Sequence, residues 1–433
     1  MRRLATSDPG FEAAFRALLD LARDTTARVD AAVAEIIAAV RAGGDAALLD
    51  LTARFDGAAP ADAAGLRVTE AEIAAATAGI APDLLAALDL AATRIERFHA
   101  AQMPRDLTMP DPAGLTLGMR WTALDAVGLY VPGGKAAYPS SVLMNALPAR
   151  VAGVARIAIC VPAPGGQLNP LVLAAARRAG VDEIYRIGGA QAVAALAFGT
   201  ASIAPVDRIV GPGNAYVAEA KRQVFGQVGI DSIAGPSEVV VLADAANDPR
   251  HVAMDLLAQA EHDESAQSIL ITDDPGFADA VARAVEAALC DLPRRAIAGE
   301  SWRRNGAVIL VRDWAEAVAL TNRLAPEHLQ IMLPDPAAVF GQVRHAGAAF
   351  LGRWCPEALG DYVAGPNHVL PTGRTARFAS GLSVFDFLKR TTWVEASEAG
   401  LAAIGPVAVA LAGAEGLDAH GRSVALRLPG APP

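Results

Sequence analysis

Residues 126–134 read AVGLYVPGG, and four later stretches repeat the form: 156–164 RIAICVPAP, 183–191 EIYRIGGAQ, 207–214 DRIVGPGN and 237–244 SEVVVLAD. Each is a short apolar run that ends in glycine, proline or aspartate and leads into an Ala-rich segment. Runs of Val and Ile suit strands buried on both faces, and the Ala-rich segments supply the crossover helices of βαβ units. A second set follows: SILITDD at 268–274, a helix over 275–289, AVILVRD at 307–313, a helix around 315–324 and HLQIMLP at 328–334. The alternation predicts an α/β chain with mostly parallel sheets in two domains.

On either side of these units the texture changes. Residues 10–110 are rich in Ala and Leu with helical periodicity, as in Phe11–Arg41 and Glu70–Ala101, and are read as mainly helical. After Thr391 comes an Ala-rich tail in which Gly405-Pro406 is expected to end one helix and start another.

With 433 residues, 53% hydrophobic and 19% charged, the chain can bury more than one core. Its net charge of −10 and its lack of Lys/Arg runs exclude a phosphate-backbone partner, so small molecules rather than nucleic acid are expected. No apolar h-region follows Arg2 and Arg3, and Leu401–Ala414 is too short and too interrupted to span a membrane. A soluble, cytoplasmic protein is the expectation. The three cysteines, Cys160, Cys290 and Cys355, have no CxxC spacing, so neither a disulfide framework nor a cysteine metal site is predicted. Cys160 and Cys355 are read as small buried hydrophobes.

Several positions can carry chemistry. Asn247-Asp248-Pro249 supplies a cap and a first-turn proline for the helix that begins RHVAMDLLAQAEHDES. Gln259 and His262, three apart, would share one face and could grip a metal, although the same residues also describe a solvated helix end. Zinc needs further donors, for which Asp361, in the stretch ALGDYVAGPNH read as a loop, and His420 in AEGLDAH are available. Pro326-Glu327-His328 lies between a helix and an apolar strand, a junction expected at the carboxyl end of a sheet. There His328 could take a hydroxyl proton while Glu327 holds a water; His328 could equally just cap the preceding helix. Three glycine turns, Pro132-Gly133-Gly134-Lys135, Gly188-Gly189-Ala190-Gln191 and Gly211-Pro212-Gly213-Asn214, allow close approach of a nucleotide. The third is only GxGxxY, and Asp231 is read as preceding no clear strand end, so no acid takes the usual ribose-binding place.

Six long stretches together resemble histidinol dehydrogenase: 127–154, 188–200, 207–244, 256–268, 322–331 and 360–390, with AEGLDAH beyond them. The resemblance implies two Rossmann-like α/β/α domains with incomplete dinucleotide-binding topology. Its domain layout is a helical segment over 1–24, a first domain over 25–129 plus 238–382 with zinc and catalytic residues, an NAD-binding second domain over 130–237, and an arm over 383–433. It implies a zinc site of Gln259, His262, Asp361 and His420, the last reaching in from the partner of a homodimer. Glu327 and His328 become the acid/base pair, and Ser237, Gln259, His262, His328, Asp361, Glu415 and His420 contact the substrate L-histidinol. Tyr130, Gln191 and Asn214 correspond to the NAD contacts. The implied reaction oxidises L-histidinol through L-histidinal to L-histidine with two NAD, without a cysteine thiohemiacetal. The related alternative is a zinc- and NAD-dependent dehydrogenase of another small alcohol, such as a sulfopropanediol. Glu415 and His420 would diverge by about 140° on an unbroken helix, so the helix is expected to end between them, a break that Gly416 and Gly421 make easy.

Overall fold

All of the apolar runs become strands. In chain order these are β1 (Arg2–Ala5), β2 (Leu107–Pro110), β3 (Leu115–Ala123), β4 (Ala126–Tyr130), β5 (Arg156–Cys160), β6 (Glu183–Tyr185) and β7 (Arg208–Val210). They continue with β8 (Gly229–Ile230), β9 (Glu238–Ala243), β10 (Gln267–Thr272), β11 (Ala307–Leu310), β12 (His328–Met332), β13 (Ala348–Leu351) and β14 (Leu388–Ala396). The computed structural model describes residues 1–21, 29–57, 60–133, 138–233 and 235–430. Of the features read from sequence, residues 22–28 of the first helical pattern and Gly134 and Lys135 of the first glycine turn lie outside the described residues.

The chain divides into two units, Met1–Ala101 with Asp125–Phe387, and Gln102–Leu124 with Leu388–Pro433. The larger unit contains two all-parallel sheets, ordered β6-β5-β4-β7-β8 and β1-β11-β10-β9-β12-β13. Both are wound alike. Each begins at a central strand (β4 or β9), steps outward twice, and returns across the start to place two more strands on the other side. This is a doubly wound α/β plan lacking the sixth strand of a full dinucleotide fold, with β1 added at the edge of one copy.

Alternation along β9 explains why the six-stranded sheet is covered on both faces. Val239, Val241 and Ala243 pack against helices Pro249–Ala260, Pro275–Leu289 and Arg295–Asn305. Val240 and Leu242 point the other way, toward helices Phe11–Asp20 and Trp314–Leu324. At about 1.5–3 kcal/mol for each fully buried aliphatic side chain, these layers are what hold the strand ends in place.

Local departures from the sequence reading have local causes. Arg2–Ala5, in the segment expected to be helical, is a strand, because the edge of β11 pairs with it in parallel. The pattern Glu70–Ala101 breaks into Glu70–Ala78 and Pro82–Ala100, since Pro82 forces Ala81 to an extended backbone (φ −60, ψ 137). Gly405-Pro406 breaks nothing: helix Glu398–Ala414 runs through it with Pro406 inside. The smaller unit is not purely helical either, since β14 pairs antiparallel with β3 over nine residues. No single helix among the described residues is long and apolar enough to cross a membrane.

Candidate active site

Helix Trp314–Leu324 delivers the chain back to the start of β12, so Glu327 and His328 sit at the amino ends of the central strands, not at the carboxyl ends as expected. His328 is the first residue of β12, and in the ladder it stands opposite Val239 of β9. Its Nδ1 lies 3.1 Å from the backbone carbonyl of Glu238. A carbonyl only accepts, so Nδ1 carries the hydrogen and Nε2 presents its lone pair. Among the described residues Nε2 has no hydrogen-bond partner, and Asp361 Oδ1 is 3.8 Å from it. Burial pushes the imidazole pKa down to about 4, against the opposing pull of Asp361, so the ring is neutral near pH 7. His328 therefore starts the strand as a buried, oriented base and does not cap the helix before it.

Glu238 serves both neighbours through its backbone. Its N–H donates to Glu327 Oε2 at 2.9 Å, while its carbonyl accepts from His328. Ser237 also hydrogen-bonds the Glu327 carboxylate. Burial drives Glu327 well above the usual carboxylate range; the Glu238 N–H opposes this, and the charges of Glu238 and Asp361 add to it. Two carboxyls sequence reasoning missed share the same buried region. Glu357 Oε1 is 3.6 Å from His328 Nδ1, and its Oε2 has no partner among the described residues. Asp255 accepts from Gln330 at 2.8 Å, and burial raises it to about 6.

Asp361 is not in a loop: it belongs to the short helix Glu357–Tyr362, four residues after Glu357. His328, Glu357 and Asp361 offer ligand atoms that all lie within 4.8 Å of one another, a grouping able to hold a metal. His368 was also missed. Its Nδ1 donates to the Asp361 carbonyl at 2.9 Å and its Nε2 lies 3.2 Å from Ser141 Oγ. The only sequence signals are a lone Glu after Pro356 and a His shortly after Gly365-Pro366, neither with diagnostic spacing. Gln259 is fully buried near the end of helix Pro249–Ala260, which Asp248 caps as expected. Both atoms of its amide lack a partner among the described residues. Such a buried amide costs about 1–3 kcal/mol unless something binds it, which fits a metal donor. His262 is exposed and lies just past that helix, so it does not share a helical face with Gln259.

The family model for histidinol dehydrogenase matches residues 20–428. A histidinol dehydrogenase of Gluconobacter oxydans is 66% identical over 429 residues, covering 99% of each chain, and one of Rhodospirillum rubrum is 62% identical over 98% of each. This chain belongs to the histidinol dehydrogenase family. The crystal structure of histidinol dehydrogenase from Elizabethkingia anophelis superimposes with a TM-score of 0.94 at 35% identity, covering 99% of this chain and 98% of that one. The chain is accordingly an oxidoreductase acting on histidinol, and other small-alcohol dehydrogenases are not favoured.

The remaining residues that the histidinol dehydrogenase resemblance singled out fall in two places. In the smaller unit, helix Glu398–Ala414 ends as expected: Glu415 is its C-cap, Gly416 turns with φ 70, and His420 lies in the following helix Asp418–Ala425. Both Glu415 and His420 are exposed. In the five-stranded sheet, Tyr130 ends β4 and its hydroxyl accepts from the Gly189 N–H at 3.1 Å. Gln191 is buried in helix Gly189–Phe198, with its Nε2 unpartnered among the described residues. Asn214 caps helix Ala215–Val224 through Tyr216 and Val217 N–H. β4 and β7 are adjacent and their carboxyl ends flank the point where the winding reverses, the usual crevice for a nucleotide. Asp231 directly follows β8, contrary to the reading that it ends no strand, but its carboxylate is turned inward onto the Gly211 N–H at 2.7 Å. Cys160 is fully buried and burial raises its thiol, whereas Cys355 is only half-buried, not buried as expected.

Proposed function

We propose that this member of the family carries out the four-electron oxidation of L-histidinol to L-histidine through L-histidinal, with one zinc per subunit and two NAD used in turn. The observation that carries the reading is the neutral His328 ring, held by a backbone carbonyl with its free Nε2 facing Asp361. Gln259, His262, Asp361 and, from the partner subunit of a homodimer, the tail histidine at position 420 would hold the zinc. Amide, imidazole and carboxylate donors suit that ion, and the unpartnered Gln259 amide fits it. Zinc supplies orientation and polarisation of the substrate, and NAD supplies the hydride acceptor.

The chain's own residues handle protons and water. His328 Nε2 takes the hydroxyl proton as hydride leaves the carbinol carbon, giving the aldehyde. Glu327, made more basic by burial, takes a proton from the water that adds to the aldehyde, while His328 returns the proton it gained to the carbonyl oxygen, giving the hydrate and a neutral ring. The hydrate then loses its second hydride while His328 again accepts the hydroxyl proton, giving the acid. Ser237 orients Glu327, and Glu415 meets the substrate's cationic amine. Tyr130, Gln191 and Asn214 receive NAD at the β4/β7 crevice. No thiol is needed, and the raised pKa of Cys160 disfavours a thiolate there.

The test is NADH yield from L-histidinol before and after chelation. Two NADH per histidinol, lost with the metal and restored by zinc, is the expected result. One NADH, or full activity in the metal-free protein, would reject the scheme.

A further inference from the structure

The turn between β7 and helix Ala215–Val224 is held from inside by two buried charges. Lys221, 2% exposed at its side chain, donates from Nζ to the Gly211 carbonyl at 3.0 Å. Asp231, 5% exposed at its side chain, accepts from the Gly211 N–H and pairs directly with Lys221. Both polar groups of one glycine are thus tied to one ion pair. Gly211 has φ +109, and a Cβ there would overlap the Tyr130 carbonyl, so its backbone lies against the carboxyl end of β4. Tyr130 in turn receives the Gly189 N–H. The pair therefore sits beneath the place where the turns after β4, β6 and β7 converge.

We propose that Lys221 and Asp231, without touching the cofactor, are the positioning pair that holds the Gly211–Asn214 turn in its NAD-accepting form. The inference rests on the reading that Tyr130, Gln191 and Asn214 receive NAD. Asp231 stands 20 residues beyond Gly211, near the spacing at which a dinucleotide fold places its ribose-binding acid. Here that carboxylate is spent inward, on Lys221 and backbone. A buried ion pair is no better for stability than well-packed apolar residues of similar volume. What it adds is direction: a donor and an acceptor fixed on the two sides of one glycine. With the turn preset, NAD binding does not have to order it.

The experiment compares zinc-loaded full-length wild type with the Lys221→Met/Asp231→Leu double variant, reading NAD Kd by titration calorimetry, histidinol KM and Tm. The expected result is a folded protein whose Tm and histidinol KM are near wild type and whose NAD Kd is about tenfold higher or more. A folded double variant with unchanged NAD Kd overturns the proposal. Should the double variant not fold, Asp231→Asn, which keeps shape and removes charge, is read by the same criterion. Tyr130→Phe, Gln191→Ala and Asn214→Ala separate the two layers of inference. If these weaken NAD and the double variant does not, the pair alone is rejected. If none of the variants weakens NAD, both the pair and the NAD site are rejected. A weakened double variant with unaltered contact variants rejects the contacts, and with them the role given to the pair in presetting the Gly211–Asn214 turn for NAD.

Discussion

His328 differs from the catalytic histidines that lean on a carboxylate, because its closest partner is a peptide carbonyl at 3.1 Å. That contact fixes the tautomer with no charge of its own, leaving burial to keep the ring neutral. Replacing His328 with Asn should lower kcat by about 10²–10⁴-fold with little change in histidinol KM, read as NADH formation. Glu238 makes a separate prediction through its side chain. Burial raises its carboxyl to about 7, despite the Gly373 N–H that opposes the shift. The folded-state value exceeds the unfolded one, so stability is fully present below about pH 4.5 and is lost as pH rises through about 7. Glu238→Gln should remove that loss and gain up to about 3 kcal/mol over wild type at pH 8 relative to pH 5 in denaturant titrations. An unchanged difference between the two pH values would show that Glu238 ionises normally.

Among the elements, the short helix Glu357–Tyr362 governs the site's shape. Gly360 on it allows Phe350 to lie against the backbone, because a Cβ would overlap the Phe350 ring. That ring stacks on His328 with centroids 6.1 Å apart. Gly360→Ala should push Phe350 toward His328 and cut kcat several-fold, with a stability loss of about 1–3 kcal/mol. Equal kcat would mean that Phe350 can move elsewhere. This helix also marks where the sequence was hard to read. Gly360, Gly365 and Pro366 signal irregular backbone, and six helical residues are too few to establish a period, so the local sequence around Asp361 reads as a loop. By contrast, β4, β5, β7, β9 and β10 were legible because Val and Ile runs between Gly, Pro and Asp have no other stable fate in a large core. Glu357 and His368 were invisible for the reason that a single polar residue acquires its neighbours only when β12, β13 and the following chain pack together. The winding that put His328 at an amino edge is likewise a property of the whole sheet, as no local pattern states which end of a strand faces a site.

For the whole molecule, the proposed sharing of sites between subunits makes a prediction that no single variant can. If the partner's tail completes each site, a His328→Asn subunit lends a sound tail and a His420→Ala subunit lends a sound base. Refolding the two inactive variants together should restore roughly a quarter of wild-type activity, since half of the dimers are mixed and each has one intact site. No recovery would place His420 in its own subunit's site. The exposed Val407 and Leu411 of helix Glu398–Ala414 accord with a tail that has a partner. The parallel pairing of β1 with β11 bears on how the chain is made. Arg2–Ala5 leaves the ribosome some three hundred residues ahead of Ala307–Leu310. At typical rates of synthesis the first strand waits on the order of tens of seconds for its neighbour. Meanwhile the five-stranded sheet, built wholly from residues 126–230, can close. Birth order thus runs opposite to docking order here: of the two paired strands, the one made some three hundred residues earlier has to wait for the later one to find its place.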